Sequence, residues 1–204
     1  MEFILTSPSL EDLIRLLKAW RFWVAGAILG ALLGAAIYYV VPPPFRARAT
    51  VNVDFNLEQA WPQDTDRQQF YYLERESRKL KEIAWSDDLM GQLSSEFAIP
   101  VEDLRGYKLQ LSQPAEAGWH FYAEDRDPEM AASLASAWAE AFVVKTQADI
   151  DSGAINEFVK LEVTQSANLP VERHTPLSGY MLAGSFGLLT LAVFALLFVK
   201  PKNK

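Results

Sequence analysis

The sequence predicts an α+β fold: one compact extracytoplasmic domain, a mixed sheet with packed helices, held between two transmembrane helices. Three observations predict it. Residues 22–41 and 177–199 are two runs without a formal charge, 20 and 23 residues long. At a helical rise of about 1.5 Å per residue, each reaches about 30 Å, the thickness of a bilayer's hydrocarbon core. The 135 residues between them alternate strand-like and helix-like hydrophobic periods, and that length supports one domain with its own core.

The order is then an N-terminal segment (1–21), a first span (22–41), an outer domain (42–176), a second span (177–199) and a short tail (200–204). A cleavable signal peptide fits the first run less well, because Tyr38, Tyr39 and Pro42 to Pro44 close it where small residues are expected. Arg15, Lys18 and Arg21 precede the first span, and Lys200, Lys202 and Lys204 follow the second. Basic residues near span ends favour the cytoplasm, so both termini are expected there and the domain outside the cytoplasmic (inner) membrane. Arg46 and Arg48 argue weakly the other way. The outer segment holds 23 acidic and 13 basic residues, which argues against nucleic acid and against docking on anionic headgroups. With no cysteine, the domain is stable by packing alone.

Each element follows from a local pattern. Ser9-Leu10-Glu11-Asp12 can cap a helix whose apolar face is Leu10, Leu13, Ile14, Leu16 and Leu17, an interfacial helix running into the first span with Trp20 and Trp23 at headgroup level. Gly26, Gly30 and Gly34 recur every four residues, a stripe where another helix backbone can approach closely; Ala27, Ala31 and Ala35 follow one position behind. In the second span Ala183 and Gly187 suggest a smaller patch. Residues 46–55 alternate, with Ala47, Ala49, Val51, Val53 and Phe55 on one strand face. After a turn at Trp61-Pro62, Phe70, Leu73, Ser77, Leu80 and Ala84 recur at helical spacing, with Arg75, Arg78, Lys79 and Lys81 on solvated faces. Ser86, Asp87 and Asp88 start the next helix, which buries Leu89, Leu93 and Phe97 and stops before Pro100. Residues 107–111 and 119–122 alternate across Pro114 and Gly118, a hairpin. Asp127-Pro128 opens a helix that carries Leu134, Trp138 and Phe142 and fades near Gly153. Val159, Leu161 and Val163 form the last strand. Pro170 and Pro176 then restrict Leu169 and Thr175 to extended backbone, so a stiff non-helical connector leads into the second span.

Chemistry-bearing residues are sparse. Asp87-Asp88 and Glu124-Asp125 are adjacent pairs explained by helix starts and turns, not carboxylates facing one sugar across a cleft. Asp125, Asp127 and Glu129 alternate as calcium ligands can, but the glycine and distal glutamate of a calcium loop are missing. His120 and His174, the only histidines, have no nucleophile or metal-ligand spacing. No enzyme activity, cofactor or metal is expected.

The order of these features resembles the chain-length determinant family, the polysaccharide co-polymerases. The likeness rests on Ser9-Leu10-Glu11-Asp12-Leu13-Ile14-Arg15-Leu16-Leu17 through Trp20, on Phe45-Arg46-Ala47-Arg48-Ala49-Thr50-Val51 after the first span, on Asp125-Arg126-Asp127-Pro128-Glu129-Met130-Ala131-Ala132-Ser133-Leu134-Ala135, and on Ala167-Asn168-Leu169-Pro170 with Pro176. It covers nearly the whole chain. The resemblance implies a non-enzymatic regulator of the length of a surface polysaccharide: O-antigen of lipopolysaccharide, capsule or exopolysaccharide. Such a protein is a homo-oligomeric ring working beside an integral-membrane polysaccharide polymerase on lipid-linked polysaccharide.

Two departures narrow it. O-antigen regulators carry a long helical extension, for which the stretch from Trp138 to Gly153 leaves little room. Autokinase-fused members carry a P-loop, and no Gly-x-x-x-x-Gly-Lys-Ser/Thr pattern occurs here. The chain resembles the short, stand-alone form, and any tyrosine kinase is expected to be a separate cytoplasmic partner. A second reading stays open: a two-span sensor or adaptor whose outer domain binds a ligand and signals through a partner.

Overall fold

The computed structural model describes residues 14, 16–60, 66–113, 118–168 and 173–198. In chain order the elements are α1 (Trp20–Val40), β1 (Phe45–Asp54), the single turn α2 (Leu57–Ala60), α3 (Asp66–Ala84), α4 (Asp87–Phe97), the short α5 (Val101–Asp103), β2 (Leu109–Ser112), β3 (Trp119–Asp125), α6 (Pro128–Asp151), β4 (Lys160–Gln165) and α7 (Leu177–Phe198). They form two units. One holds α1 and α7; the other is Pro44–His174. The leading interfacial helix lies mostly outside the described residues; Ile14 and residues 16–18 are helical, and the Trp23 indole donates to the Leu16 carbonyl at 3.3 Å.

Both α1 and α7 are long and apolar enough to cross a membrane. Their large side chains are presented outward: Leu32 is 60% exposed and Phe186 74%. In water such surface would be costly, whereas hydrocarbon accepts it.

The Pro44–His174 unit is a four-stranded sheet in the order β2-β3-β1-β4 with helices packed on one face. It is not mixed, as the sequence suggested: every pairing is antiparallel. The reason is the position of β1. Strands β3 and β4, joined through α6, run parallel to each other, but β1 lies between them and opposes both. The alternation in β1 places Ala47, Ala49, Val51 and Val53 against the helices, and Trp119, Phe121 and Ala123 of β3 share that side.

Helix α6 is the centre of the core. Asp127 caps it, accepting the Glu129 amide at 3.0 Å, and Pro128 occupies its first turn. Leu134, Trp138 and Phe142 are fully buried. The Trp138 ring meets Phe121 edge-on at 4.8 Å and Trp85 at 4.9 Å, and Phe142 stacks on Trp119 at 5.7 Å. The Trp138 indole also donates to the Ala84 carbonyl at 2.9 Å, satisfying one of the acceptors left open where α3 ends. Ser86 caps α4 through the Leu89 amide, and α4 ends on Ala98 in the left-handed region. Gly153, at φ +80°, turns the chain after α6.

Two local expectations are corrected. The inner face of α3 is Tyr72, Glu76, Leu80, Ile83 and Ala84: Leu80 and Ala84 of the expected stripe are buried, whereas Phe70 at its start is 65% exposed. A glutamate reads as surface by composition, yet Glu76 is buried, with Arg75 Nε at 2.8 Å and Lys79 Nζ at 3.3 Å. Glu76 also accepts the Asn156 amide at 3.4 Å, and Lys79 donates to the Ala154 carbonyl at 2.8 Å, so the pair ties α3 to the turn after α6. Arg75 and Lys79 are therefore partners of Glu76 as well as surface charges. Nearby, Tyr72 donates to the Phe55 carbonyl at 3.4 Å; burial and then the Glu76 charge push its hydroxyl up to about 12. The second correction concerns residues 107–111. Leu104–Lys108 is a π-helical turn and the strand begins at Leu109. Its wide turn lets Leu109 donate to Leu104 five residues back, which puts both leucines in the core and leaves Tyr107 exposed. The Trp61-Pro62 turn lies outside the described residues.

Replacing Trp138 by Phe removes the indole donor and leaves the Ala84 carbonyl unsatisfied in an apolar surround, at about 1–3 kcal/mol before any packing loss. A thermal melt of the full chain in detergent should shift down by several degrees. An unchanged midpoint would mean that the indole is not the tie between α3 and α6.

Candidate functional site

Three surfaces carry the residues that the sequence singled out. The first is the contact between α1 and α7. Gly30 and Gly34 are buried in it. A Cβ at Gly30 would overlap the Gly184 carbonyl oxygen and come within 2.8 Å of Ser185 Cα; one at Gly34 would overlap the Tyr180 carbonyl oxygen. Gly26 has slightly more room, its Cβ position lying 3.2 Å from Ala192 Cβ. The pairing of 26 with 192, 30 with 184 and 34 with 180 makes the helices antiparallel, with backbone against backbone at the two inner glycines. The Ser185 hydroxyl donates to the Ala27 carbonyl at 2.9 Å, and Tyr38 meets Tyr180 edge-on at 5.6 Å. On α7 the small residue in contact is Gly184, not Gly187, which faces open space. The uneven glycine spacing in that helix hid which one mattered.

The second surface is where the Pro44–His174 unit begins and ends. The His174 amide donates to the Pro44 carbonyl at 2.9 Å, and Phe45 and Arg173 form an isolated antiparallel bridge. The Arg173 guanidinium lies 4.4 Å above the Phe45 ring. Of the connector, Pro170 lies outside the described residues. Pro176 precedes α7 directly, and its carbonyl accepts the Gly179 amide at 3.0 Å as the helix begins.

The third is the outward face of the sheet. β1 directs Arg46, Arg48 and Thr50 to it, opposite Glu124, Tyr122 and His120 of β3. Arg46 pairs with Glu124 at 2.8 Å, lies 4.8 Å from the Tyr122 ring centre and bonds Gln110 of β2. Glu124 is also 3.7 Å from His174. Thr50 and His120 share a hydrogen bond at 3.1 Å; burial, then the neighbouring Arg48 charge, holds the imidazole below its usual range. Sequence reading treated these residues singly. Alternation marks one strand's outward positions, but the register between β1 and β3 brings them together.

Apart from Glu129, the acidic residues weighed as catalytic or metal-binding have structural duties. Asp87 accepts from Arg105 at 2.6 Å, and Asp88 faces Lys145 at 3.8 Å. Asp125 accepts the Asp127 amide at 3.0 Å and pairs with Lys108. Burial raises its carboxyl, but the Asp127 amide, the Lys108 ammonium and the Arg126 amide together outweigh that and hold it below the usual carboxylate range. Among the described residues no group of three acidic or histidine side chains converges as a metal site requires.

The helix contact is directly testable because the chain lacks cysteine. Gly26→Cys with Ala192→Cys brings two Cβ atoms close to disulfide range. Mild oxidation in membranes should yield an intramolecular disulfide, seen as protection from maleimide, and adding Gly30→Leu should abolish it. A pair that stays reactive would contradict the contact. Compared with known proteins, the chain matches no family model and no curated protein.

Proposed function

We propose that α1 and α7 cross the cytoplasmic membrane as a close antiparallel pair, with the Pro44–His174 unit outside, and that this protein sets the length of a surface polysaccharide without doing chemistry on it. The observation that carries the reading is the closure of the Pro44–His174 unit on itself: Pro44–Phe45 and Arg173–His174 are bridged, so its two ends lie side by side. A block held that way suits a scaffold. The reading is compatible with the duties of Asp87, Glu124, Asp125 and Asp127, whose carboxylates serve a cap and ion pairs. Identical subunits of this kind can close a ring through one repeated heterologous interface. The ring would work beside an integral-membrane polymerase acting on lipid-linked repeat units, with any tyrosine kinase supplied as a separate chain. The sequence resemblance to the chain-length determinant family supplies the activity itself.

Removing the gene and separating the extracted surface polymer on a gel is the test. The expected result is an altered length distribution, restored by the wild-type chain. A polymer unchanged in both length and amount would end this reading.

A further inference from the structure

The outward face of the sheet has a composition that neither a hydrophobic interface nor an ordinary solvated surface requires. Tyr122 and His120 stand two residues apart on β3, their ring centres 6.1 Å apart. Around them are planar polar groups held in fixed positions: Arg46 by Glu124 and Gln110, and His120 by Thr50. Arg48 lies directly across from Tyr122 and is exposed, and it has no carboxylate partner among the described residues. Among the described residues it is thus a guanidinium without a carboxylate, in a segment that carries 23 acidic and only 13 basic residues.

We propose that this face, with the Tyr122 ring, covered on one side by the Arg46 guanidinium, as its platform and Arg48 beside it, binds an acidic glycan chain. A sugar ring offers one face of C–H groups, which packs on an aromatic ring, and a rim of hydroxyls, which pair with fixed planar donors and acceptors. A uronate carboxylate matches a guanidinium fork in two parallel bonds, which a neutral sugar cannot supply. A second copy of the chain is the rival occupant. Tyr and Arg also suit an interface between copies, but the Glu, Gln, His and Thr around them leave the face without the apolar centre that such an interface needs, and the particle mass below separates the two. The choice of a glycan as ligand rests on the polysaccharide reading above, but the face and its charge do not.

The test uses the full chain in nanodiscs of zwitterionic lipid, titrated calorimetrically with a hexamer of galacturonic acid, with uncharged maltohexaose and with inorganic pyrophosphate. The acidic hexamer should bind about tenfold or more tighter than either control. Arg48→Ala should remove that preference, and Tyr122→Ala should weaken both oligosaccharides, while Tyr122→Phe, which keeps the ring, binds nearly as wild type does. If Tyr122→Ala does not fold, the Phe and Arg48 variants still decide. Several outcomes overturn the proposal: no binding of the acidic hexamer, equal binding of pyrophosphate, or unchanged binding by Arg48→Ala. A change in particle mass on Arg48→Ala also overturns it and makes the face an interface between copies. Binding without any effect of gene removal on polymer length would leave the face standing and end the length-regulation reading; the reverse pattern would end only the face.

Discussion

The rest of the structure depends on bringing the two ends of the Pro44–His174 unit together. A chain that leaves one apolar helix at Pro43 and starts another after Thr175 must fold the residues between them so that both ends finish side by side. Strand β1 solves this by taking the inner position in the sheet. Its first residue is bridged to Arg173, and its partners β3 and β4 are locked on either side. Because β1 separates β3 from β4, the connection between those strands has to cross it. That crossover is α6, and the aromatic core of Trp138, Phe121 and Phe142 forms where it does so.

The same economy governs the charges. Glu76 is buried where α3 needs a link to the turn after α6, and Arg75 and Lys79 sit within reach, so burial does not strand an unpaired carboxylate. Removing both cations would strand Glu76, which is fully buried, whereas Arg75 and Lys79, 55% and 36% exposed, keep water without it. Within the pair of apolar helices the holding forces differ in kind. In the bilayer proposed above there would be no hydrophobic drive between the helices, and contact would rest on close packing at Gly30, Gly34 and Gly184 and on the Ser185 bond to Ala27.

Much of this was legible in the sequence because it is local. Period-two alternation gave the inward face of β1, the Ser86 and Asp127 caps announced their helices, and the four-residue step from Leu134 to Phe142 marked the core side of α6. What escaped was non-local. The burial of Glu76 involves the Asn156 amide that it accepts and the Ala154 carbonyl that holds Lys79, both far away in sequence, so hydropathy alone assigned the start of α3 a face rotated toward Phe70. The π-helical turn at Leu104 has no composition of its own; only the need to bury both Leu104 and Leu109 produces it. The choice of Gly184 over Gly187 was set by the partner helix. The cluster of Arg46, Glu124 and Tyr122 was invisible for the same reason, because pairing register, not spacing, creates it.

The central proposal is that copies of this chain assemble into one closed scaffold, a property beyond the single chain. The most direct measurement is the mass of the intact particle after gentle extraction into a membrane mimetic, counted in subunits. The account predicts one discrete large species, a ring with a fixed number of copies. A particle that is monomeric or dimeric at every concentration and in every mimetic would contradict it and favour a sensor or adaptor working through a partner.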